Sequence, residues 1–165
     1  MTEPNETVIP EPTVAQIMRT TVPTVAPDAS IATVAKTLVD HGVTGVPVVE
    51  DEKIIGIITE ADIIMREADV DVPTPVPFLD AIFLADAGPE FDDELRHVLA
   101  VNARDLMSSP VFNILSSATL QQLATLMVDE GVNTVPVLDD DHNLVGLVTR
   151  ADIVRVISRL ENEDA

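Results

Sequence analysis

The chain writes one long segment twice, and that duplication limits its fold more than any other feature. VAQIMRTTVPTV at 14–25 aligns with ARDLMSSPVFNI at 103–114, and ASIATVAKTLVDHGVTGVPVV at 29–49 aligns with ATLQQLATLMVDEGVNTVPVL at 118–138. After one extra residue in the second copy, GIITEADII at 56–64 faces GLVTRADIV at 146–154. Each copy is one supersecondary unit, too small to bury its apolar face alone, so the two must pack together.

Both copies read the same way. A short apolar helical end comes first (Ile17, Met18; Leu106, Met107), then an extended piece (Val22 to Val25; Val111 to Ile114). A helix follows, with Ile31, Val34, Ala35, Leu38 and Val39 at i, i+3, i+4 spacing in copy one. Leu120, Leu123, Ala124, Met127 and Val128 repeat the pattern, and Gly42 and Gly131 stand where a helix C-cap belongs. A strand (Val46–Val49; Val135–Leu138), an acidic turn and a second strand (Ile54–Ile58; Leu144–Val148) lead to Thr-x-x-Asp and a closing helix. Pro47 and Pro136 place the beginning of the first strand at a sheet edge or at the strand start, because proline cannot donate to a ladder. The fold class is therefore α+β, with two β-α-β-β-α repeats over 13–67 and 102–160. Residues 1–12 and 161–165 read as disordered acidic tails, and 68–101 as a Pro-rich linker with a helical insert. Within that insert PFLDAIFLAD predicts a short amphipathic helix and FDDELRHVLAVNARDLM a second one, acidic in its first turn. Phe78, Phe83 and Phe91 there either cover the core or form a partner surface.

Composition narrows the function classes. A hydrophobic content of 46% is ample for a core, and the mean hydropathy is positive. No apolar run nears the roughly 18 residues of a membrane span, and MTEPNETVIPEP lacks the basic and apolar regions of a signal peptide. The expected setting is cytoplasmic. With no cysteine in the chain, disulfides, thiol catalysis and thiolate metal sites are excluded. The net charge is −20, from 29 acids against 9 bases. DNA, RNA and anionic membranes need a basic footprint and are poor partners for such a surface. The bias resembles that of proteins from salt-accumulating halophilic archaea.

The order of elements, with TGVPVV…GIITEAD and NTVPVL…GLVTRAD, resembles a tandem pair of CBS domains, the modules named after cystathionine β-synthase. The resemblance covers about 13–66 and 102–160. It implies a pseudo-twofold pair of repeats, a Bateman module, binding adenosyl ligands: AMP, ADP, ATP with its magnesium, or S-adenosylmethionine. By that resemblance the junction acids Asp62 and Asp152 accept the ribose hydroxyls, and Thr59 and Thr149 contact ribose or phosphate. The adenine lies against Thr44, Gly45, Val46 and Pro47, or Asn133, Thr134, Val135 and Pro136. Thr20, Val22, Ser109 and Val111 line the sites as well. Elementary chemistry agrees: a carboxylate receives two hydroxyl donors, and a helix N-terminus offers N–H groups to a phosphate.

Thr-x-x-Asp also fits a variant capping box that needs no ligand, and the two roles are compatible. Between Thr and Asp, copy one carries Glu60 and copy two Arg150. The arginine that many family members place just before the Asp is here Ala61 or Ala151. Arg150, with Arg19 as a further candidate, partly replaces it, so the Asp152 site is expected to take phosphorylated adenosine better than the Asp62 site. Asp139, Asp140, Asp141 and His142 read as a solvated hairpin, since the spaced ligands and Gly of a calcium loop are missing. No nucleophile–base or paired-carboxylate arrangement repeats, so no enzymatic activity and no obligatory cofactor or metal is expected. The reading is a regulatory homodimer that acts on a separate protein partner; the alternative is a ligand-free oligomerisation scaffold. Carboxylate self-repulsion gives a first test, because the Debye length falls to about 3 Å near 1 M salt. Dialysis from molar salt into dilute buffer is expected to cost the helical circular-dichroism signal.

Overall fold

A computed structural model of the chain describes residues 11–67, 76–78, 81–83 and 99–163. In chain order the helices are α1 (Val14–Ile17), α2 (Ile31–His41), α3 (Glu60–Glu67), α4 (Ala103–Leu106), α5 (Leu120–Asp129) and α6 (Arg150–Glu163). The strands are β1 (Gly45–Glu50), β2 (Lys53–Thr59), β3 (Val76–Phe78), β4 (Ala81–Phe83), β5 (Ile114–Leu115), β6 (Thr134–Leu138) and β7 (Leu144–Thr149). Two compact units result, one from residues 23–111 and the other from 1–22 together with 112–165.

The repeat helices form where capping and apolar spacing agree. Ser30 accepts the Thr33 N–H at 3.2 Å to open α2, whose Ile31, Val34 and Leu38 are buried. Gly42 ends it at φ +58°, donating back to Leu38 and Val39, a conformation glycine adopts without steric cost. Thr119 and Gln122 form a reciprocal capping box at α5, which buries Leu123 and Met127. Val39 and Val128 depart from the expected stripe: they are 79% and 74% exposed. Each follows a buried Leu38 or Met127 by one residue, about 100° around the helix and off the core face.

In the first unit β1 and β2 pair antiparallel from Gly45↔Thr59 to Glu50↔Lys53, with Asp51 and Glu52 both at positive φ between them. In the second, β6 and β7 pair from Thr134↔Thr149 to Leu138↔Leu144, and β5 lies parallel to β6. Val25 plays the part of β5 for β1, donating to Pro47 O at 3.1 Å and accepting from Val49 N–H at 2.9 Å. The outer edges of β2 and β7 are occupied too. Ile57 exchanges both backbone bonds with Ser108 (3.1 and 2.9 Å), and Leu147 does so with Arg19 (3.0 and 2.9 Å).

That pairing explains the prolines. Pro47 faces Ile57 and Pro136 faces Leu147, but those partners spend their N–H and C=O on Ser108 and Arg19. Each proline therefore sits at a non-bonded position of the antiparallel ladder, where no N–H is needed. Neither expected placement is the one found: Pro47 and Pro136 are the third residues of β1 and β6, inside strands flanked on both sides, and the non-bonded position is what accommodates them.

Each unit is completed by the helix that leads the other repeat in sequence. Helix α1 joins the unit of repeat two, with Val14 and Ala15 N–H groups on the carbonyls of Ala118 and Ser116 at 2.8 and 2.9 Å. Helix α4 joins the unit of repeat one, with Ala103 and Arg104 N–H groups on Ala29 and Pro27 at 2.8 and 2.9 Å. First-turn donors, which lack partners within a helix, are thereby satisfied. Val14, Ala103 and Leu106 are fully buried, and burial of a side chain the size of valine or leucine is worth about 1.5–3 kcal/mol. Val14 lies in one cluster with Leu123, Met127, Val135, Val137, Val148 and Ile153.

Between the repeats two expectations change. The amphipathic helix expected at PFLDAIFLAD does not form in its described part: β3 pairs antiparallel with β4, Val76↔Phe83 to Phe78↔Ala81. Val76, Ile82 and the phenylalanines favour a strand, and Pro77 is foreign to a helix interior. The helix expected from Phe91 to Met107 is broken at Ala100–Asn102, where Asn102 turns extended and caps α4 by accepting the Asp105 N–H at 3.1 Å. The tail at 1–10, the linker at 68–75, residues 84–98 and the final two residues lie outside the described residues.

The exchanged segments carry Met18 and Met107 over the junction glycines. A Cβ on Gly56 would lie 2.6 Å from Met107 Cγ and 2.8 Å from its Cβ. One on Gly146 would meet Met18 Cγ at 2.9 Å and the Arg19 carbonyl at 3.2 Å. Gly56→Ala is expected to destabilise by about 1–3 kcal/mol through overpacking, and Met107→Ala in the same chain to relieve part of the strain. Alanine keeps the Cβ that lies 2.8 Å away over Gly56, whereas over Gly146 the nearest remaining contact is the Arg19 carbonyl at 3.2 Å, so Met18→Ala relieves more. Thermal unfolding of the two double-mutant cycles measures the difference.

Candidate functional site

The Thr-x-x-Asp junctions fold alike in both units. Thr59 and Thr149 are the last residues of β2 and β7, and helices α3 and α6 begin at the next position. The acid three residues after the threonine then stands over the first helical turn. Thr59 donates its N–H to Asp62 Oδ2 at 2.7 Å and its hydroxyl to the same oxygen at 2.8 Å. Thr149 makes the same two bonds to Asp152 Oδ2, at 2.9 and 2.8 Å. The N–H bond is the reciprocal half of a capping box, so the capping role is present. The Glu60 and Arg150 N–H groups are tied in turn to the carbonyls of Thr44 and Asn133, both at 3.1 Å.

The two carboxylates differ in their surroundings. Asp62 is half-buried, whereas Asp152 is 3% exposed. Arg155, one turn along α6, donates to Asp152 Oδ1 at 2.7 Å. Burial pushes the Asp152 carboxyl up, but the Thr149 hydroxyl and N–H, the Arg155 bond and the charge of Arg19 outweigh it and hold the group below its ordinary value. Arg155 was not among the residues expected from sequence; its i, i+3 spacing from Asp152 was the available signal.

Arg150 spends its guanidinium on the protein itself. Nε bonds the Val132 carbonyl at 3.1 Å and Nη2 the Met127 carbonyl at 3.0 Å. It thus closes the end of α5, whose last carbonyls lack helical partners. Glu60, an acceptor only, cannot do this for α2.

The remaining expected residues divide by exposure. Thr44 and Asn133 are exposed, while Gly45, Val46 and Pro47 and their counterparts Thr134, Val135 and Pro136 are buried in the sheets. Thr20 and Ser109 are exposed; Val22 and Val111 are half-buried. Because the leading segments are exchanged, Thr20 and Val22 belong to the unit of Asp152, and Ser109 and Val111 to the unit of Asp62. A groove of about 500 Å³ beside β5 and α5, lined by Asn113, Leu115, Ser117, Gln122 and Leu126 among others, contains none of these residues. Asp139 organises its own hairpin, accepting from Asn143 N–H at 2.8 Å and Asp141 N–H at 3.0 Å. Among the described residues no group of three or more His, Cys, Asp or Glu is placed to hold a metal.

Residues 14–69 and 103–159 match the family described as CBS domain. The protein MJ1426 of Methanocaldococcus jannaschii is 35% identical over 124 residues, covering 70% of this chain and 73% of its own length. The protein MK0525 of Methanopyrus kandleri is 30% identical over 144 residues, 87% of this chain. This chain spans only 61% of that relative. Among solved structures, CBSX2 of Arabidopsis thaliana in complex with AMP superposes with a TM-score of 0.71 at 25% identity, over 90% of this chain and 98% of that one.

The lowered Asp152 carboxyl sets a pH test. A group depressed in the native state stabilises fully above its unfolded value, about 3.9 for Asp, and loses that contribution as pH falls through the native value. Asp152→Asn is therefore expected to unfold more easily than the parent near pH 6, by about 1–3 kcal/mol, with the gap narrowing below pH 4. Denaturant titrations of both chains across that range at constant ionic strength measure it.

Proposed function

Because the chain belongs to the CBS-domain family and carries two copies of the module, we propose that it is a regulatory module for adenosine-containing ligands. Its sites centre on Asp62 and Asp152. The observation that carries this reading is the threonine-held carboxylate built identically at both strand–helix junctions. It is supported by the AMP complex of the similar CBSX2. Each carboxylate is fixed through one oxygen by its threonine, which orients the group for a ribose diol. Exposed Thr44 and Asn133 stand at the start of β1 and β6 to meet the base.

Regulation follows from the double use of the junction. In the free protein Asp62 and Asp152 cap the starts of α3 and α6. A bound ribose competes for the same carboxylates, so ligand and cap are coupled, and the helix starts shift population when ligand is present. A separate protein reads that shift, and the chain itself turns nothing over. With the Arg150 guanidinium engaged, phosphate is left to the helix N–H groups, which suits the monophosphate AMP over ATP.

An oligomerisation role has one observation in its favour. The helices of both units expose apolar residues at matching positions: Val39 and Ile64 in one, Val128 and Val154 in the other, between 64% and 79% exposed. A homodimer through these faces is compatible with ligand sensing. AMP at 100 times its dissociation constant is expected to stabilise the chain by about 2.7 kcal/mol, visible as a raised Tm that Asp62→Ala and Asp152→Ala each diminish. S-adenosylmethionine and ATP serve as the comparison ligands. A Tm indifferent to all three, with a dimer in light scattering that Val39→Glu and Val128→Glu dissolve, would favour the scaffold instead.

A further inference from the structure

The repeats close the corner between their first helix and first strand in different ways. In repeat one the backbone does it: the Leu38 carbonyl, in the last turn of α2, takes the Val43 N–H at 3.1 Å. The equivalent acceptor in repeat two is the Met127 carbonyl, and it takes Arg150 Nη2 at 3.0 Å. Nε of the same guanidinium holds the Val132 carbonyl at 3.1 Å, and the Arg150 N–H holds the Asn133 carbonyl, also at 3.1 Å. The path from α5 into β6 therefore hangs on one residue, at Met127, Val132 and Asn133. That residue opens α6 two positions before Asp152, and the pairing of Thr134 with Thr149 keeps the corner alongside the junction.

We infer that Arg150 is a positioning residue for the Asp152 site: it holds the Val132–Asn133 corner, against which the base lies, at a fixed distance from the carboxylate that takes the ribose. This rests on the adenosine reading above and deepens it, because base affinity at this site then depends on a side chain that touches neither base nor phosphate. The sequence gave Arg150 to phosphate; two carbonyls of its own repeat hold the guanidinium instead.

The chemistry suits a brace. A guanidinium is a planar fork whose donors keep fixed directions, so two carbonyls bonded to it are held in one mutual orientation. Hydrogen bonds from a charged donor are stronger than those between neutral groups. The end of α5 also carries the negative pole of its helix, where a cation is favoured. Glu60, at the same place in repeat one, has the opposite charge and no donor, in keeping with a corner that its own backbone closes. Asn133 is exposed, so its segment has no burial of its own to fix it. A segment already held in its bound geometry loses less freedom when ligand arrives.

The test isolates the Asp152 site with Asp62→Ala and titrates AMP and adenosine by calorimetry in molar potassium chloride. Adding Arg150→Met is expected to weaken both probes by the same factor, about threefold to tenfold, because an ordered corner is lost and not a phosphate contact. Backbone hydrogen exchange is expected to quicken at 130–134 and to stay unchanged at 41–45, where the backbone closes the corner. If the methionine variant loses its circular-dichroism signature, Arg150→Lys takes its place; it keeps a donor and is expected to give a smaller loss, again equal for both probes. A loss confined to AMP makes Arg150 a phosphate contact and overturns the positioning role. A lowered Tm with both affinities unmoved, the mark of a merely structural bond, overturns it too, as does unchanged exchange at 130–134. Absence of AMP binding by the unaltered protein overturns the adenosine reading itself, and the positioning role with it.

Discussion

Two close approaches hold this structure in place: Met107 against Gly56, and Met18 against Gly146. Each methionine rides on a segment that pairs backbone to backbone with the outer edge of β2 or β7. The pairing makes those strands inner strands, and their C-terminal ends carry the Thr-x-x-Asp junctions. A β-carbon at either glycine would push the segment off the strand. The prolines depend on the same arrangement. Pro47 and Pro136 are tolerated in flanked strands because the residues opposite them bond outward, to Ser108 and Arg19. The exchange also means that one unit is assembled from two separate stretches, 1–22 and 112–165, while the other runs unbroken from 23 to 111. The chain crosses between units near residues 22 and 111, so stability in one is linked through the backbone to the other.

On that frame the junction geometry follows with little freedom. A strand ending in threonine and running straight into a helix places the third following residue over the first turn. An acid there satisfies the threonine N–H and hydroxyl together. What the frame leaves variable is the next turn, and there the copies diverge. Asp152 is buried and neutralised from three sides, by Thr149, Arg155 and the field of Arg19. Asp62 is half-open, and its helix carries Met65 instead. Arg150 and Glu60 look like the functional asymmetry in the sequence, yet Arg150 serves to close α5. The asymmetry that touches the carboxylate lies five residues further on.

Much of the fold was legible because repetition and periodicity are local. Both repeat helices, both hairpins and both junctions stand within a residue or two of where the pattern put them. The failures have local causes as well. Val39 and Val128 were counted into a helical stripe by spacing, although a single step past the core position turns a side chain outward. In the insert, an i, i+4 pattern of apolar residues outweighed the β-branched and aromatic content of Val76, Phe78, Ile82 and Phe83, and the strand preference prevailed. Asn102 capped a new helix inside a run that looked continuous, since its own side chain offers the backbone an acceptor.

The sequence by itself determined the α+β repeat, the Thr-x-x-Asp junctions and the family to which they belong, because each is written in short-range spacing. Tertiary structure alone decided which leading helix completes which unit, why the junction glycines are glycine, and how deeply Asp152 is buried. Those depend on contacts between residues some 50 to 130 positions apart, or on the burial of one acid against its twin, and neither is encoded in any local pattern.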